Sequence, residues 1–474
     1  MVFLRKVLSV APESARIANM IQFLRRHLAR TIATGALTLL VGSVSVAQVK
    51  PAEFGPLVLD ENLWSTTLEQ VEKSHVAQRT PEQLRQMALR REMMKKQGFD
   101  PGESRDHAFV WLSAQHDGLR AEAGTLSLWG EALGEVLIRG QEGKVAGINI
   151  SLFNRGDDGV LSARELQTRW EQWRGRIEEK IGVRGEVRKS TSAVQVMAYQ
   201  WRKGDTAMLL EGSVNTTDGM ARAEFLRIRL ASVSGADGKI TNRSSLKGNV
   251  ERHDNGDVFI KNMPMVDQGQ KGYCAVASIA RVTSYYGLDV DQHEIAQLAN
   301  TTRQGTSPEE LELAFKSIIS KLHIRTTQHF EFSQRQFDAD VRAYNQLAKK
   351  EGEEQFKAPK GYILIPDGVW TKMNPKIFAQ VKGEQSGCKR FMTKAAEYIE
   401  QGIPLSWCLR LGMFPEKDIP QAQGGHMRLI IGFNNKTEEI IYTDSWGKGH
   451  EFKRMPLAQA YACSLSVYTM SPTR

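Results

Sequence analysis

Cysteine is scarce in this sequence and confined to one end. Among 474 residues there are four, Cys274, Cys388, Cys408 and Cys463, and none precedes Cys274. Lipid attachment through an N-terminal cysteine is thereby excluded. No two of them form a close pair, so a disulfide framework does not staple the fold. If Cys274 is a free thiol, Cys388, Cys408 and Cys463 can form at most one bridge. Metal-ligand spacing is absent too: His293-Glu294 is not followed by a second His four places after the first, which removes the zinc-protease pattern. No metal or other cofactor is implied. A strong charge of one sign is also missing once the excess is located. Of the net +9, five units come from residues 1–49, where Arg5, Lys6, Arg16, Arg25, Arg26 and Arg30 face the single acid Glu13. The remainder carries about +4, too little to argue for nucleic acid.

What is present is ordinary globular composition, 41% apolar and 25% charged, with length for two to four domains of roughly 100–200 residues each. The first tenth reads as an export signal, residues 1–47. An uncharged stretch, 31–49, follows Arg25, Arg26 and Arg30, and Ser45-Val46-Ala47 offers small residues for cleavage before Gln48. Met20 is an alternative start that leaves a signal of ordinary length. The competing reading is an uncleaved membrane tether through residues 31–49, although its Thr, Ser and Gly make a poor span. Secretion or a periplasmic location follows from the first reading.

Residues 48–233 read as an accessory α+β module. Its first part is helical and polar, with Thr80-Pro81-Glu82-Gln83 as a helix start. Strand-like alternation follows in 108–113, 124–129, 136–139, 145–153, 192–201, 207–211 and 223–230. Among these strands, 163–181 has Leu166, Trp170, Trp173 and Ile177 on one helical face. The sum is an antiparallel sheet with at least one helix packed on it. Residues 154–165 partly match a calcium-binding loop, with Gly159, Leu161 and Glu165 at the sixth, eighth and twelfth places. Gly156 at the third place offers no side-chain oxygen, however. A turn capped by Ser162 and Glu165 explains the same residues. The triplet Arg155-Gly156-Asp157 inside this segment is taken as chance. Residues 234–255 turn to Ser, Gly, Asn, Asp and Lys and read as a linker.

The last part, 256–474, begins with helices and ends with strands. A glycine-broken loop containing Gly269 and Gly272 runs into Cys274, and the stretch behind it has apolar residues at helical spacing up to Gly287. Cys274 therefore stands at a helix N-terminus, where the dipole favours a thiolate. Asp291–Glu294 forms a capping box for a second helix, Ser307-Pro308-Glu309-Glu310 opens a third, 391–400 a fourth, and 405–410 is a strand. Cys408 and Cys463 fall in strand-like runs. Residues 424–433 and 437–444 form a hairpin. With Asn434-Asn435-Lys436 as a three-residue loop, Phe433 faces Thr437 and His426 faces Asp444, which sets an imidazole beside a carboxylate.

Cys274 at a helix start, Gln268 six residues before it, His426 152 residues on, and Asp444-Ser445-Trp446-Gly447 resemble the papain-like cysteine peptidases. Tyr285-Tyr286-Gly287 and Gly305-Thr306-Ser307-Pro308 are similar to the bacterial double-glycine, bacteriocin-processing branch. The resemblance covers about residues 262–470. It implies a papain-like α+β domain made of a helical part and an antiparallel sheet. It also implies a peptide or protein substrate, with Cys274 as nucleophile, His426 as base, Asp444 as its orienting partner, Gln268 as oxyanion donor and Trp446 as a shield over the His–Asp pair. Ala275 stands where family members often have Gly or Ser. Bacteriocin-processing peptidases are joined to transporter segments that the resemblance does not reach, so cleavage after Gly-Gly is not carried over. The rival readings are an inactive peptidase-fold binding module and a Cys-His-Asp acyl transferase.

Overall fold

In the computed structural model the described residues are 51–76, 107–189, 194–216, 221–234, 243–269, 271–288, 290–307, 324–357, 372–419 and 423–473, with scattered positions in 85–92 and 310–316. The expected signal, the helix start at Thr80-Pro81-Glu82-Gln83, and Gln270 lie outside them. No helix among the described residues is long and apolar enough to cross a membrane.

The helix Ala163–Ile181 occupies the residues its pattern predicts. Ser162 Oγ accepts from the Glu165 backbone N–H while the Glu165 carboxylate receives the Ser162 N–H at 2.9 Å, so both orphan donors are satisfied. Its buried stripe, Leu166, Trp170, Trp173 and Ile177, packs on the strands Thr206–Asn215 and Arg222–Ser232. These belong to an eight-stranded antiparallel sheet. Its spatial order is Phe109–Trp111, Gly118–Ala121, Val136–Gln141, Lys144–Asn154, Arg222–Ser232, Thr206–Asn215, Met197–Lys203, Glu186–Arg188. The strand Gly118–Ala121 and the short edge Glu186–Arg188 were not legible as alternating runs.

A second eight-stranded sheet runs Val250–Arg252, Asp257–Ile260, Gly424–Asn434, Leu405–Leu411, Ser464–Pro472, Ile324–Glu331. Glu439–Thr443 pairs with Gly424–Asn434, and Lys453–Pro456 pairs with Glu439–Thr443. Every pairing in both large sheets is antiparallel. Helices Cys274–Tyr285, Gln292–Leu298, Gln334–Glu351, Pro375–Glu384 and Ser386–Ile399 intervene between its early and late strands. The fold class is thus α+β. The first strand, Val250–Arg252, and a 3-10 helix, Arg243–Asn249, lie within residues whose polar composition marks a linker. Leu246 is the one apolar residue that the 3-10 helix buries. Cys463 closes a helix, Leu457–Cys463, and does not sit in a strand.

Each large sheet has its own hydrophobic cluster, one centred on Trp201, Phe153 and Leu226, the other on Trp407, Tyr286 and Phe337. The two nevertheless belong to one compact unit, Val49–Arg474. What joins them is polar. Arg227 Nη2 donates to Glu294 Oε1 at 2.5 Å, and Asn149 Nδ2 donates to Asp291 Oδ2 at 2.7 Å. The expected capping box at Asp291–Glu294 is therefore not closed. Asp291 caps the His293 N–H, but Glu294 is drawn to the buried guanidinium. An ion pair with a buried guanidinium outcompetes a single bond to a backbone N–H.

Candidate active site

Cys274 is the first residue of the helix Cys274–Tyr285. Its N-cap, Tyr273, supplies no side-chain cap, so the helix N-terminus keeps backbone donors and its partial positive charge beside the thiol. The other three cysteines make an internal control. All four are free thiols. Burial pushes Cys388 up to about 11, Cys408 up to about 12, and Cys463 higher still. Burial also pushes on Cys274. There it is outweighed by the charge of His426 and by hydrogen bonding to His426 and to the Met427 backbone, and the thiol lies below its ordinary value.

His426 reaches the site from the strand Gly424–Asn434. The hairpin register is not the one its sequence suggests. The turn takes four residues, with Asn434 paired to Glu439, because the Asn434 side chain accepts the N–H groups of Lys436 and Thr437 and Glu438 adopts φ 52°. That change alone puts the wrong face of the return strand toward His426. A bulge at Ile431 reverses it, since the pairs beyond it are Ile430 with Tyr442 and Leu429 with Thr443. Continued, this register sets Arg428 opposite Asp444 and His426 opposite Trp446. Asp444 is the diagonal neighbour of His426 on the same face, and His426 Nε2 lies 2.7 Å from Asp444 Oδ1. The imidazole–carboxylate contact is formed, by a route different from direct opposition. The Trp446 ring stacks on His426, 4.3 Å between centroids and 15° between planes.

With Nε2 held by Asp444, the interaction with Cys274 falls to Nδ1, which has no other protein partner. Burial alone pulls His426 toward neutrality. The Asp444 carboxylate and the thiolate more than reverse this, lifting it to about 9. Burial likewise opposes charge on Asp444, yet His426 and Arg428 hold it well below the usual carboxylate range. Thiol down, imidazole up and carboxylate down all favour the charged forms, a thiolate–imidazolium pair beside a carboxylate.

Gln268 sits in the loop before the helix, where Gly269 turns the chain at φ 71°. Three contacts fix its side chain and backbone. Gln268 N–H donates to the Ser445 carbonyl, Ser445 Oγ donates to Gln268 Oε1, both at 2.8 Å, and Gln268 Nε2 donates to the Lys271 carbonyl at 3.0 Å. One amide hydrogen of Nε2 stays uncommitted by these bonds.

The model of the Peptidase C39 like family matches residues 260–469. That stretch, somewhat less than half of the chain, is what is similar to a cysteine peptidase of this family. Among solved structures, it is similar to the peptidase domain of ComA from Streptococcus, a bi-functional ABC transporter involved in a quorum sensing pathway. That match is 14% identical, covers 44% of this chain and 99% of the other, and has a TM-score of 0.23. Xylellain, a cysteine protease from Xylella fastidiosa, is 10% identical over 48% of this chain and 89% of its own, with a TM-score of 0.24. No curated protein matches the sequence.

Several residues packed around Cys274, His426 and Asp444 escape a reading of the sequence. Arg281, two turns after Cys274, is buried and donates to the carbonyls of Pro264 and Asp444 and to Thr443 Oγ1 at 2.6–2.8 Å. It is the one charged residue in an otherwise uncharged helix, and such a charge must be paired where it is buried. Arg428, two residues after His426 and on the same face, donates to Asp444 Oδ2 at 2.6 Å and to Glu416 Oε2 at 2.8 Å. Ser445 was legible only as part of the Asp-Ser-Trp-Gly run. Two carboxylates of the calcium-like loop are engaged within it, while Asp157 pairs with Lys271 outside it. Asp158 Oδ2 accepts the Asn154 N–H, and Glu165 closes the capping box on Ser162.

Proposed function

We propose that this chain is an exported cysteine peptidase that cleaves peptide bonds through Cys274, His426 and Asp444 by way of an acyl-enzyme. The observation that carries the reading is the company kept by one thiol out of four. Cys274 alone among the described cysteines has a pKa below its ordinary value, and it faces an imidazole whose other nitrogen is held by a buried carboxylate. The thiolate sulfur attacks the scissile carbonyl carbon. The carbonyl oxygen takes the negative charge and is met by the free hydrogen of Gln268 Nε2 and the Cys274 backbone N–H. The C–N bond breaks as His426 gives its proton to the leaving amine, which leaves a thioester. Water, deprotonated by His426, then releases the carboxylic product and restores the pair.

Export is supported by the sequence of residues 25–49. N-terminal sequencing of the protein recovered outside the cytoplasm should begin at Gln48, and a retained, membrane-bound full-length chain would replace export by tethering. For the chemistry, a thiol-directed electrophile should label Cys274 ahead of Cys388, Cys408 and Cys463, and His426→Ala should slow it. A Cys274 no faster than a peptide thiol would sink the proposal. If amide transfer to an added amine outruns hydrolysis of a peptide library, the activity is acyl transfer.

A further inference from the structure

We propose that the corner Arg155-Gly156-Asp157 of the N-terminal module is a positioning element for the oxyanion loop of the peptidase domain. The inference rests on the reading of Gln268 as oxyanion donor. Residues 267–273 join that glutamine to the start of the Cys274 helix. On one side the loop is sewn to Ser445, as described. On the other it meets the module. Lys271 Nζ lies 2.5 Å from Asp157 Oδ2, and Arg120 Nη1 lies 3.3 Å from Asp267 Oδ2. The Tyr273 ring packs on Gly156 so closely that a Cβ there would overlap its hydroxyl.

Each element of the corner has one task. Arg155 donates to Glu224 within the module and to the Thr301 carbonyl across the boundary, both at 2.8 Å. Gly156 makes room for Tyr273, the N-cap of the helix that begins with Cys274. Asp157 is itself fixed by the Asn154 side chain, which accepts its N–H and donates to its carboxylate. The cation that this calcium-like loop meets is the Lys271 ammonium. That side chain is 3% exposed, so without Asp157 it would be a buried charge with its partner gone. Regaining water requires the backbone at Lys271 to move, and the Lys271 carbonyl is the acceptor that aims Gln268 Nε2. A displacement of about 1 Å in such a donor costs on the order of 100-fold in rate.

The test is a double-mutant cycle on the full chain. Asp157→Asn should lower kcat by about 10- to 100-fold with KM nearly unchanged. The rate of Cys274 alkylation and its pH profile should stay as in the wild type, since the Cys274–His426 pair is not touched. In a Gln268→Ala background the same substitution should cost nothing further, and Asp157→Glu should restore part of the loss. Gly156→Ala, which adds a methyl against Tyr273 and removes no charge, should give the same split if Asp157→Asn does not fold. Equal losses in both backgrounds, or alkylation falling in parallel with kcat, would make the corner merely structural and overturn the proposal. No loss in Asp157→Asn while Gln268→Ala does cost activity would overturn it alone. No loss in Gln268→Ala would overturn the oxyanion reading and this proposal with it.

Discussion

Arg227 in the first large sheet and Arg428 in the second are both sealed from solvent, with side chains 2% and 0% exposed. Each guanidinium is shared between carboxylates. Arg227 contacts Glu211, Glu294 and Asp291 at 2.8, 2.5 and 3.4 Å; Arg428 contacts Asp444 and Glu416 at 2.6 and 2.8 Å. Each network also has a histidine at its edge, and there they diverge. His293 is carried by burial below its ordinary value, the pull of Asp291 notwithstanding. His426 is lifted above it by Asp444, which bridges guanidinium and imidazole directly, and by the Cys274 thiolate. The same buried pairing thus joins the first large sheet to the helix Gln292–Leu298 in one place and holds an imidazolium ready in the other. What differs is the company of each ring: the Asp444 carboxylate and the Cys274 thiolate act on His426, whereas burial and Lys271 oppose Asp291 at His293.

The comparison can be broken first at the nucleophile. Cys274→Ser should lower kcat/KM for peptide hydrolysis on the order of 10⁴-fold or more, with urea unfolding unchanged; activity surviving at a tenth would remove the peptidase network from its role. Next, Arg227→Met removes the buried guanidinium shared by Glu211, Glu294 and Asp291, leaving Arg229 at 3.8 Å from Glu211, and should cost roughly 3–5 kcal/mol of stability. Urea unfolding measures this, and the pH profile of Cys274 alkylation should not move, because that profile belongs to the other network. Gln268→Ala should reduce kcat about 10²–10³-fold while alkylation of Cys274 proceeds as before.

The smallest effects are in the pH dependence of stability, and they have opposite signs. His426 is raised from 6.5 to about 9, so the folded state binds the extra proton between those values. Its contribution is complete below 6.5 and is lost as pH rises through about 9. His293 is lowered from 6.5, so the unfolded chain binds the extra proton, and stability falls as pH drops below 6.5. Urea midpoints across pH 5–10 should therefore fall on both sides. In His426→Gln the alkaline decline should shrink, and in His293→Gln the acid one. An Asp444→Asn variant whose alkylation profile keeps its alkaline limb would show that the carboxylate is not what lifts His426.

Much of the fold was legible where a pattern is local. The amphipathic stripe and capping box of Ala163–Ile181 depend only on residues a few positions apart, and the helix ends where they predict. The strand carrying His426 and the return strand carrying Asp444 were legible from alternation. Their register was not. It depends on how the Asn434 side chain folds the turn and on a bulge at Ile431 three residues before it. A turn longer by one residue and a bulge cancel in parity, which is why His426 and Asp444 still share a face.

Taken alone, then, the sequence determined the chemistry at stake: one thiol at a helix start, one histidine and one acid on facing strands, and a glutamine in the loop before them. Only the tertiary structure decided how these groups are charged and aimed. The guanidiniums of Arg281 and Arg428, which hold Asp444 at its carbonyl and its carboxylate, come from a helix and a strand far apart in the chain. So does the Arg155-Gly156-Asp157 corner against Tyr273 and Lys271, more than 100 residues away. Desolvation and ion pairing act through distance in space, and spacing along the chain carries no record of it.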